Sequence, residues 1–472
     1  MRLYFMSVCG TGMGNAALLM RQLGHEVLGC DRNIYPPMSD ALQAAGIEIL
    51  PDFDAERLQR LQPDLVVVGN VNTRGNPEVE WLLRTRAIPY TSLPGLLNSH
   101  LLTHRRNIVV TGTHGKTTTT CLAAYLLRQH GQQPGWLVGG IPRDLPSGAE
   151  LGQPDAPFVI EGDEYDSAFF DKRSKFIHYA PNIVILNHLE FDHADIFRDL
   201  SDVQRTFSHL LRIVPQDGFI LANGDDPNQR DLVDSVHWCR VLKVGTDAAN
   251  DLQIRGFTED ERGSRFQLVW RGTVWGRVQW KQWGLYNARN AAMACLAAGL
   301  ALKPEDPFCA IEPEKLQGYQ GVKRRQEVLF DNGTTTLISD FGHHPTAIRQ
   351  TLESMQQRYK GRPVVACFEA RSNTACRKVL EADFATAFAP ADRVHFGAVF
   401  RAERYRDEDR IDLEAIAAGL GTQAVAHGTN EAMGAALRQS LLDEPRQVVV
   451  FFSNGSFDGV IEQTVQAVRE GA

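Results

Sequence analysis

The chain has 472 residues, enough for about three domains of the common ~150-residue size, and its 43% hydrophobic and 22% charged composition excludes a wholly disordered polymer. Forty-nine basic against 57 acidic residues give a net charge of −8, which argues against a nucleic-acid partner gripped by a basic face. The longest apolar stretch, 291–302, falls short of the roughly 18 residues that span a bilayer, and the apolar start at 3–9 runs into a glycine turn instead of a cleavage site. No membrane partner and a cytoplasmic location are expected. The eight cysteines form no Cys-x-x-Cys pair and read as small buried apolar groups in a reducing compartment.

The first block opens with an apolar strand over 3–8, then Gly10-Thr-Gly-Met-Gly14, then Ala16, Ala17, Met20 and Leu23 at helical spacing up to Gly24. A second strand over 26–29 ends near Asp31. This is the outline of a nucleotide-binding βαβ unit, although Gly-x-Gly-x-Gly is not the dinucleotide fingerprint Gly-x-Gly-x-x-Gly, and a tight structural turn fits equally well. Strands over 65–68 and 88–91 complete the block. Asn70, Asn72, Thr73 and Arg74 follow the first of them.

The second block starts at Asn107 with a strand over 108–110. It continues through Thr111-Gly-Thr-His-Gly-Lys-Thr-Thr118 into a helix that reaches about His130. Backbone N–H groups at a helix start, with a lysine beside them, form a polyphosphate cradle. Gly112 and Gly115 let the backbone close, Lys116 reaches the β/γ oxygens and Thr117 can hold Mg²⁺. Val110 stands where the general Walker pattern has its first glycine, so the loop is a shorter variant. Strands over 158–160 and 183–186 end in Glu161-Gly-Asp-Glu-Tyr-Asp166 and Asn187-His-Leu-Glu-Phe-Asp-His193. Both should converge on the loop, with Glu161 and His193 as candidate Mg²⁺ ligands. Asp163, Glu164 and Asp166 read equally well as solvated surface acids.

Residues 251–283 alternate like an antiparallel flap, turning at Arg271-Gly272. Gly284-Leu-Tyr-Asn-Ala-Arg-Asn290 then leads into an alanine-rich helix, where Asn290 is either the N-cap or a contact to a nucleotide base. A third block begins near Val322-Lys-Arg-Arg325, with strands expected over 335–339, 364–368, 393–396 and 447–452. Polar clusters follow three of these strands: Asp340-Phe-Gly-His-His-Pro345, Glu369-Ala-Arg-Ser-Asn373 and Ser453-Asn-Gly-Ser456. His343-His344 also fits a helix-start turn with Pro345 at the first helical position. The expected fold is α/β in three domains. They are an N-terminal Rossmann-like domain (1–106), a central P-loop ATPase-like domain with a small antiparallel β flap (107–321) and a C-terminal Rossmann-like domain (322–472).

Taken in order, Gly112-Thr-His-Gly-Lys-Thr117, Glu161-Gly-Asp-Glu-Tyr-Asp166, Asp192-His193, Asn287-Ala-Arg-Asn290, Arg324-Arg325 and Asp340-Phe-Gly-His-His-Pro345 resemble the Mur ligase family over essentially the whole chain. These are ATP-dependent amide-forming enzymes of peptidoglycan metabolism. The Gly-His-His-Pro motif and the N-terminal glycine turn look like the branch that uses UDP-N-acetylmuramate. Tyr35-Pro-Pro-Met-Ser39, Glu369-Ala-Arg-Ser-Asn-Thr374 and Ser453-Asn-Gly-Ser-Phe457 look more like the recycling member, which takes the tripeptide L-Ala-γ-D-Glu-meso-diaminopimelate. The sister that takes free L-alanine is the alternative.

The resemblance implies catalytic roles for Lys116, Glu161 and His193, with Mg²⁺ on Thr117, Glu161 and His193. It implies ATP, as co-substrate, on Gly112, Thr113, His114, Gly115, Lys116, Thr117 and Thr118, with Asn290 at adenine and Arg325 across the cleft. UDP-N-acetylmuramate would lie on Gly10, Thr11, Gly12, Met13, Gly14, Asp31, Asn70 and Thr73, near Arg74. The peptide would lie on Asp340, His344, Arg371 and Ser372, where a bidentate arginine suits a carboxylate. Two departures stand out. Tyr286 replaces the family's usual histidine, and no lysine lies between Lys175 and Lys243 to serve as the carbamylated lysine of other branches. A Rossmann oxidoreductase would explain only the first block, and a P-loop NTPase switch only the second.

Overall fold

The computed structural model describes residues 1–471. Its first sheet sets strands Glu48–Pro51, Glu26–Asp31, Arg2–Met6, Leu65–Val68 and Tyr90–Ser92 side by side, all parallel. The order in which successive strands are laid down reverses direction at Arg2–Met6. The crevice at the carboxyl ends of Arg2–Met6 and Leu65–Val68 is therefore where such a sheet takes a ligand. The first strand stops at Met6, two residues before the apolar run does, because Ser7 adopts φ +63° and turns the chain toward Gly10. Glu48–Pro51 was not expected: it is a four-residue edge strand with no fully buried residue.

The second sheet has ten strands. Gly135–Leu137, Phe158–Glu161, Asn107–Thr111, Ile183–Leu186, Phe219–Asn223 and Arg240–Gly245 run parallel. Beyond them Leu252–Asp260, Gly263–Trp270 and Thr273–Trp280 form an antiparallel part at one edge, and Ala149–Glu150 pairs antiparallel with Gly135–Leu137 at the other. The three-stranded part is not a detached flap: Val244 pairs with Leu252, so the three strands extend the main sheet. Helices Lys116–Gln129 and Leu285–Leu302 pack against each other over this sheet. Their contact is close because Ala123, Ala124, Ala291, Ala294, Ala297 and Ala298 are fully buried and small. Gly284 caps the second helix at φ +87°, which puts Asn290 in its second turn and not at the N-cap.

The third sheet orders Glu327–Asp331, Thr336–Asp340, Val448–Phe452, Val364–Ala370, Arg393–Val399 and Ala424–Ala426, parallel apart from the first pair. Val364–Ala370 and Val448–Phe452 are buried at every position, as central parallel strands covered on both faces should be. Phe368, Phe384, Phe388 and Phe396 pack ring to ring under this sheet at 5.0–6.4 Å. The rim built on Asp340 therefore stands on a rigid base.

Candidate active site

A cavity of about 1340 Å³ is lined by residues of all three sheets. At one end lies the N-terminal glycine turn. Gly10 caps helix Thr11–Gln22 without any side-chain cap, and the first turn carries no acid, so its N–H groups are open. The three glycines differ in cause. A Cβ at Gly14 would lie 2.2 Å from Met38 Sδ, so that glycine is demanded by packing inside the domain. Gly10 and Gly12 are exposed, and a Cβ on either would meet nothing closer than 3.7 Å. Nothing in the chain crowds either position. Thr11, Met13, Asn70, Thr73 and Arg74 line this end, as does Asp31. Asp31 is spent locally: its carboxylate accepts from the Cys9 and Asn33 N–H groups at 2.9 and 3.0 Å. The Arg74 guanidinium pairs with Glu80 through one edge, Nε and Nη2 each donating to a carboxylate oxygen.

The phosphate loop is held from behind. Gly112 (φ +117°) and Gly115 (φ +81°) both occupy the left-handed region, where a side chain is strained. A Cβ at Gly112 would come 2.9 Å from the His188 backbone, and one at Gly115 would come 2.5 Å from Asn290 Oδ1. Asn290 accepts from Asn187 Nδ2 at 2.9 Å and donates to Asn287 Oδ1 at 3.1 Å. It thus braces the loop as well as lining the cavity. Thr113, His114, Gly115, Lys116, Thr117 and Thr118 face the cavity, while Gly112 and Gly14 stand behind it.

Lys116 Nζ donates to the Gly112 carbonyl at 2.8 Å and to Glu164 Oε2 at 2.9 Å. Glu164 is only 3% exposed, which overturns the surface-acid reading for this residue. Its other oxygen lies 3.2 Å from His193 Nε2. Burial works against ionisation of Glu164, but Lys116 and then His193 outweigh it and hold the carboxyl down at about 2. Burial likewise opposes the charge on Lys116, and Glu164 more than restores it. Asp163 and Asp166 pair instead with Lys175 and Lys172.

Glu161 behaves oppositely. It accepts from Thr117 Oγ1 at 3.0 Å and from the Gly139 N–H at 2.7 Å. Burial, reinforced by Asp163, nevertheless pushes it up to about 7. A carboxyl driven toward neutrality beside a threonine hydroxyl is where a hard divalent cation would restore the ionised form, so the donor set fits Mg²⁺. His193, the third expected ligand, lines the same cavity at φ +52°.

The third domain closes the far side. Asp340 accepts from the Gln326 and Gly342 N–H groups at 2.9 and 2.7 Å. Burial raises it, with Arg325 opposing. His344 caps helix Pro345–Arg358 through Nδ1, as the Pro345 position suggested, and its Nε2 lies 3.2 Å from the Phe191 carbonyl. Arg325 faces the cavity between two non-glycine residues in the left-handed region, Arg324 (φ +60°) and Gln326 (φ +49°). Tyr286 hydrogen-bonds both Gln326 and Thr351, so it ties the second domain to the third. Arg371 and Ser372 do not line the cavity. Arg371 donates to Glu369 and stacks on Phe400, while Ser372 accepts from the Ala375 N–H.

Comparison with known proteins decides the family. Three family descriptions match in order: "Mur ligase family, catalytic domain" over residues 2–105, "Mur ligase middle domain" over 110–298 and "Mur ligase, glutamate ligase domain" over 324–455. A UDP-N-acetylmuramate–L-alanyl-γ-D-glutamyl-meso-2,6-diaminoheptandioate ligase of Escherichia coli is 38% identical over 474 residues, 100% of this chain and 99% of that protein. The chain belongs to the Mur ligase family. As a Mur ligase it is an ATP-dependent acid–amino-acid ligase, which sets aside the oxidoreductase and switch readings. A crystal structure of a murein peptide ligase from Psychrobacter arcticus matches with a TM-score of 0.72 at 32% identity, covering 99% of this chain and 98% of that one. A UDP-N-acetylmuramate–L-alanine ligase of Desulfosudis oleivorans is more distant, 30% identical over 90% of this chain and 88% of its own. Among the described residues, no helix is long and apolar enough to cross a membrane.

Proposed function

We propose that this Mur ligase joins the lactyl carboxylate of UDP-N-acetylmuramate to the amine of L-Ala-γ-D-Glu-meso-diaminopimelate, at the expense of ATP, in the cytoplasm. The observation that carries the reading is one cavity bordered by an open glycine turn, a braced phosphate loop and the Asp340–His344 rim. Residues 1–106 are assigned to the UDP-sugar, 107–321 to ATP and 322–472 to the peptide. The choice of amine follows the two relatives above, since the tripeptide enzyme is the nearer of them.

In the first step a carboxylate oxygen attacks the γ-phosphorus, the bond to ADP breaks, and an acyl phosphate forms. In the second the amine attacks the acyl carbon, the carbon–oxygen bond breaks, and phosphate and a proton leave. Lys116 offsets the charge spreading over the phosphoryl oxygens, and the loop N–H groups orient them. Thr117, Glu161 and His193 are assigned to Mg²⁺, which supplies charge neutralisation when bound. Gly10, Thr11, Gly12 and Met13 receive the diphosphate of the UDP-sugar, while Asn70 and Thr73 flank it. Asp340 and His344 face the incoming peptide. Arg371 and Ser372, set back from the cavity, reach the peptide's far end. Closure of the third domain keeps water from the acyl phosphate.

Phosphate release, measured with each substrate omitted in turn, tests the reading. Release should require both UDP-N-acetylmuramate and an amine. Equal release from ATP alone would remove the ligase assignment.

A further inference from the structure

The segment 188–195 ties the phosphate loop to the third domain. On the loop side, the Thr113 N–H donates to the His188 carbonyl at 2.7 Å and the Glu190 N–H donates to Thr113 Oγ1 at 3.0 Å. On the other side, the Phe191 carbonyl meets His344, and the Ala194 N–H donates to Thr374 Oγ1 at 3.2 Å. Asn373 Nδ2 donates to Asp195 at 2.9 Å. The Glu190 carboxylate stands in the middle. Its Oε2 lies 2.9 Å from His114 Nε2 of the phosphate loop and 3.3 Å from His344 Nδ1. Its Oε1 accepts from Thr346 Oγ1 at 2.8 Å, in the first turn of the third domain's helix Pro345–Arg358, and lies 3.3 Å from His188. The side chain is 22% exposed.

We infer that Glu190 is a positioning residue for the ligase reaction, coupling the phosphate loop to the third domain. One oxygen fixes His114 and the other receives Thr346, so the loop is aligned and the third domain docked through a single side chain. Only a carboxylate accepts on both edges; an amide of the same shape offers one acceptor and one donor. Although partial burial works against its charge, Glu190 is held ionised far below the ordinary carboxylate range by His114 and His188. The inference rests on the ligase reading, because the amine arrives on the third domain and the phosphoryl group on the loop.

The test is a double-mutant cycle on steady-state turnover with both substrates, with ATP affinity measured separately by calorimetry. Glu190→Gln and Thr346→Val should each lower kcat by about 10- to 100-fold while ATP affinity changes less than about 3-fold. The double variant should lose no more than the worse single one. Multiplicative losses, or a kcat untouched in Thr346→Val, would overturn the coupling. Thr346→Val probes the link from the third domain, so the outcome does not depend on Glu190→Gln folding well. If the wild-type enzyme shows no amine-dependent turnover, the ligase reading fails instead, and the two failures are distinct.

Discussion

The two glycine turns of this molecule look alike in sequence and are built in opposite ways. In the phosphate loop, Gly112 and Gly115 take positive φ and are hemmed in by His188 and Asn290. The loop is fixed by its own surroundings, and Lys116 is moored to a buried Glu164. In the N-terminal turn only Gly14 is required by packing, whereas Gly10 and Gly12 border open space. In the proposed function, one turn is preorganised for a phosphoryl group that must be stabilised while bonds change. In the same proposal, the other is a binding platform whose shape matters only to what settles on it. Glycine therefore carries two meanings here, conformational in one loop and spatial in the other.

The contrast makes graded predictions. Lys116→Ala should have the largest effect, lowering kcat by about 10³-fold (about 4 kcal/mol) with the fold intact by circular dichroism. Glu164→Gln should come next, costing about 3 kcal/mol of stability in denaturant titration, because it leaves the largely buried Lys116 ammonium without its carboxylate partner. The sign of its pH effect follows from its lowered value. The ionised Glu164 contributes stability that is fully present above the ordinary carboxyl value of 4.5 and is lost as pH falls through about 2. Acid titration of the Gln variant should therefore show a flatter loss of stability between pH 4.5 and 2 than the wild type. Gly115→Ala should cost about 2 kcal/mol and weaken ATP binding together, since both the backbone strain and the Asn290 contact act on the loop itself. Gly10→Ala should be the mildest for the fold, shifting stability by less than about 0.5 kcal/mol while weakening the UDP-sugar about 10-fold in calorimetry. A Gly10→Ala protein as unstable as Gly115→Ala would erase the distinction between the turns.

How much of this was legible beforehand follows from burial. Strands buried on both faces, such as Ile183–Leu186 and Val448–Phe452, announce themselves as apolar runs. The edge strand Ala424–Ala426 and the interior strand Arg240–Gly245 both mix exposed and buried positions and carry no such signal. Phe219–Asn223 is buried throughout, but only Phe219, Ile220 and Leu221 are strongly apolar before Ala222 and Asn223, and so short a run does not stand out. The phosphate loop was legible because glycines, Lys116 and Thr117 are close in sequence. Glu164 and Glu190 were visible inside their motifs, but their partners lie 48 and 76 residues away. Only the fold tells a buried ion pair from a surface acid. Asn290 shows the same limit, since its place under Gly115 depends on where helix Leu285–Leu302 begins.

The central claim is that one cavity joins UDP-N-acetylmuramate to a tripeptide amine. A side-by-side measurement of kcat/KM for phosphate release, with L-Ala-γ-D-Glu-meso-diaminopimelate in one arm and free L-alanine in the other, tests it most directly. The account predicts that the tripeptide is preferred by at least about 100-fold, a difference of about 2.7 kcal/mol. Equal use of the two, or preference for L-alanine, would contradict it.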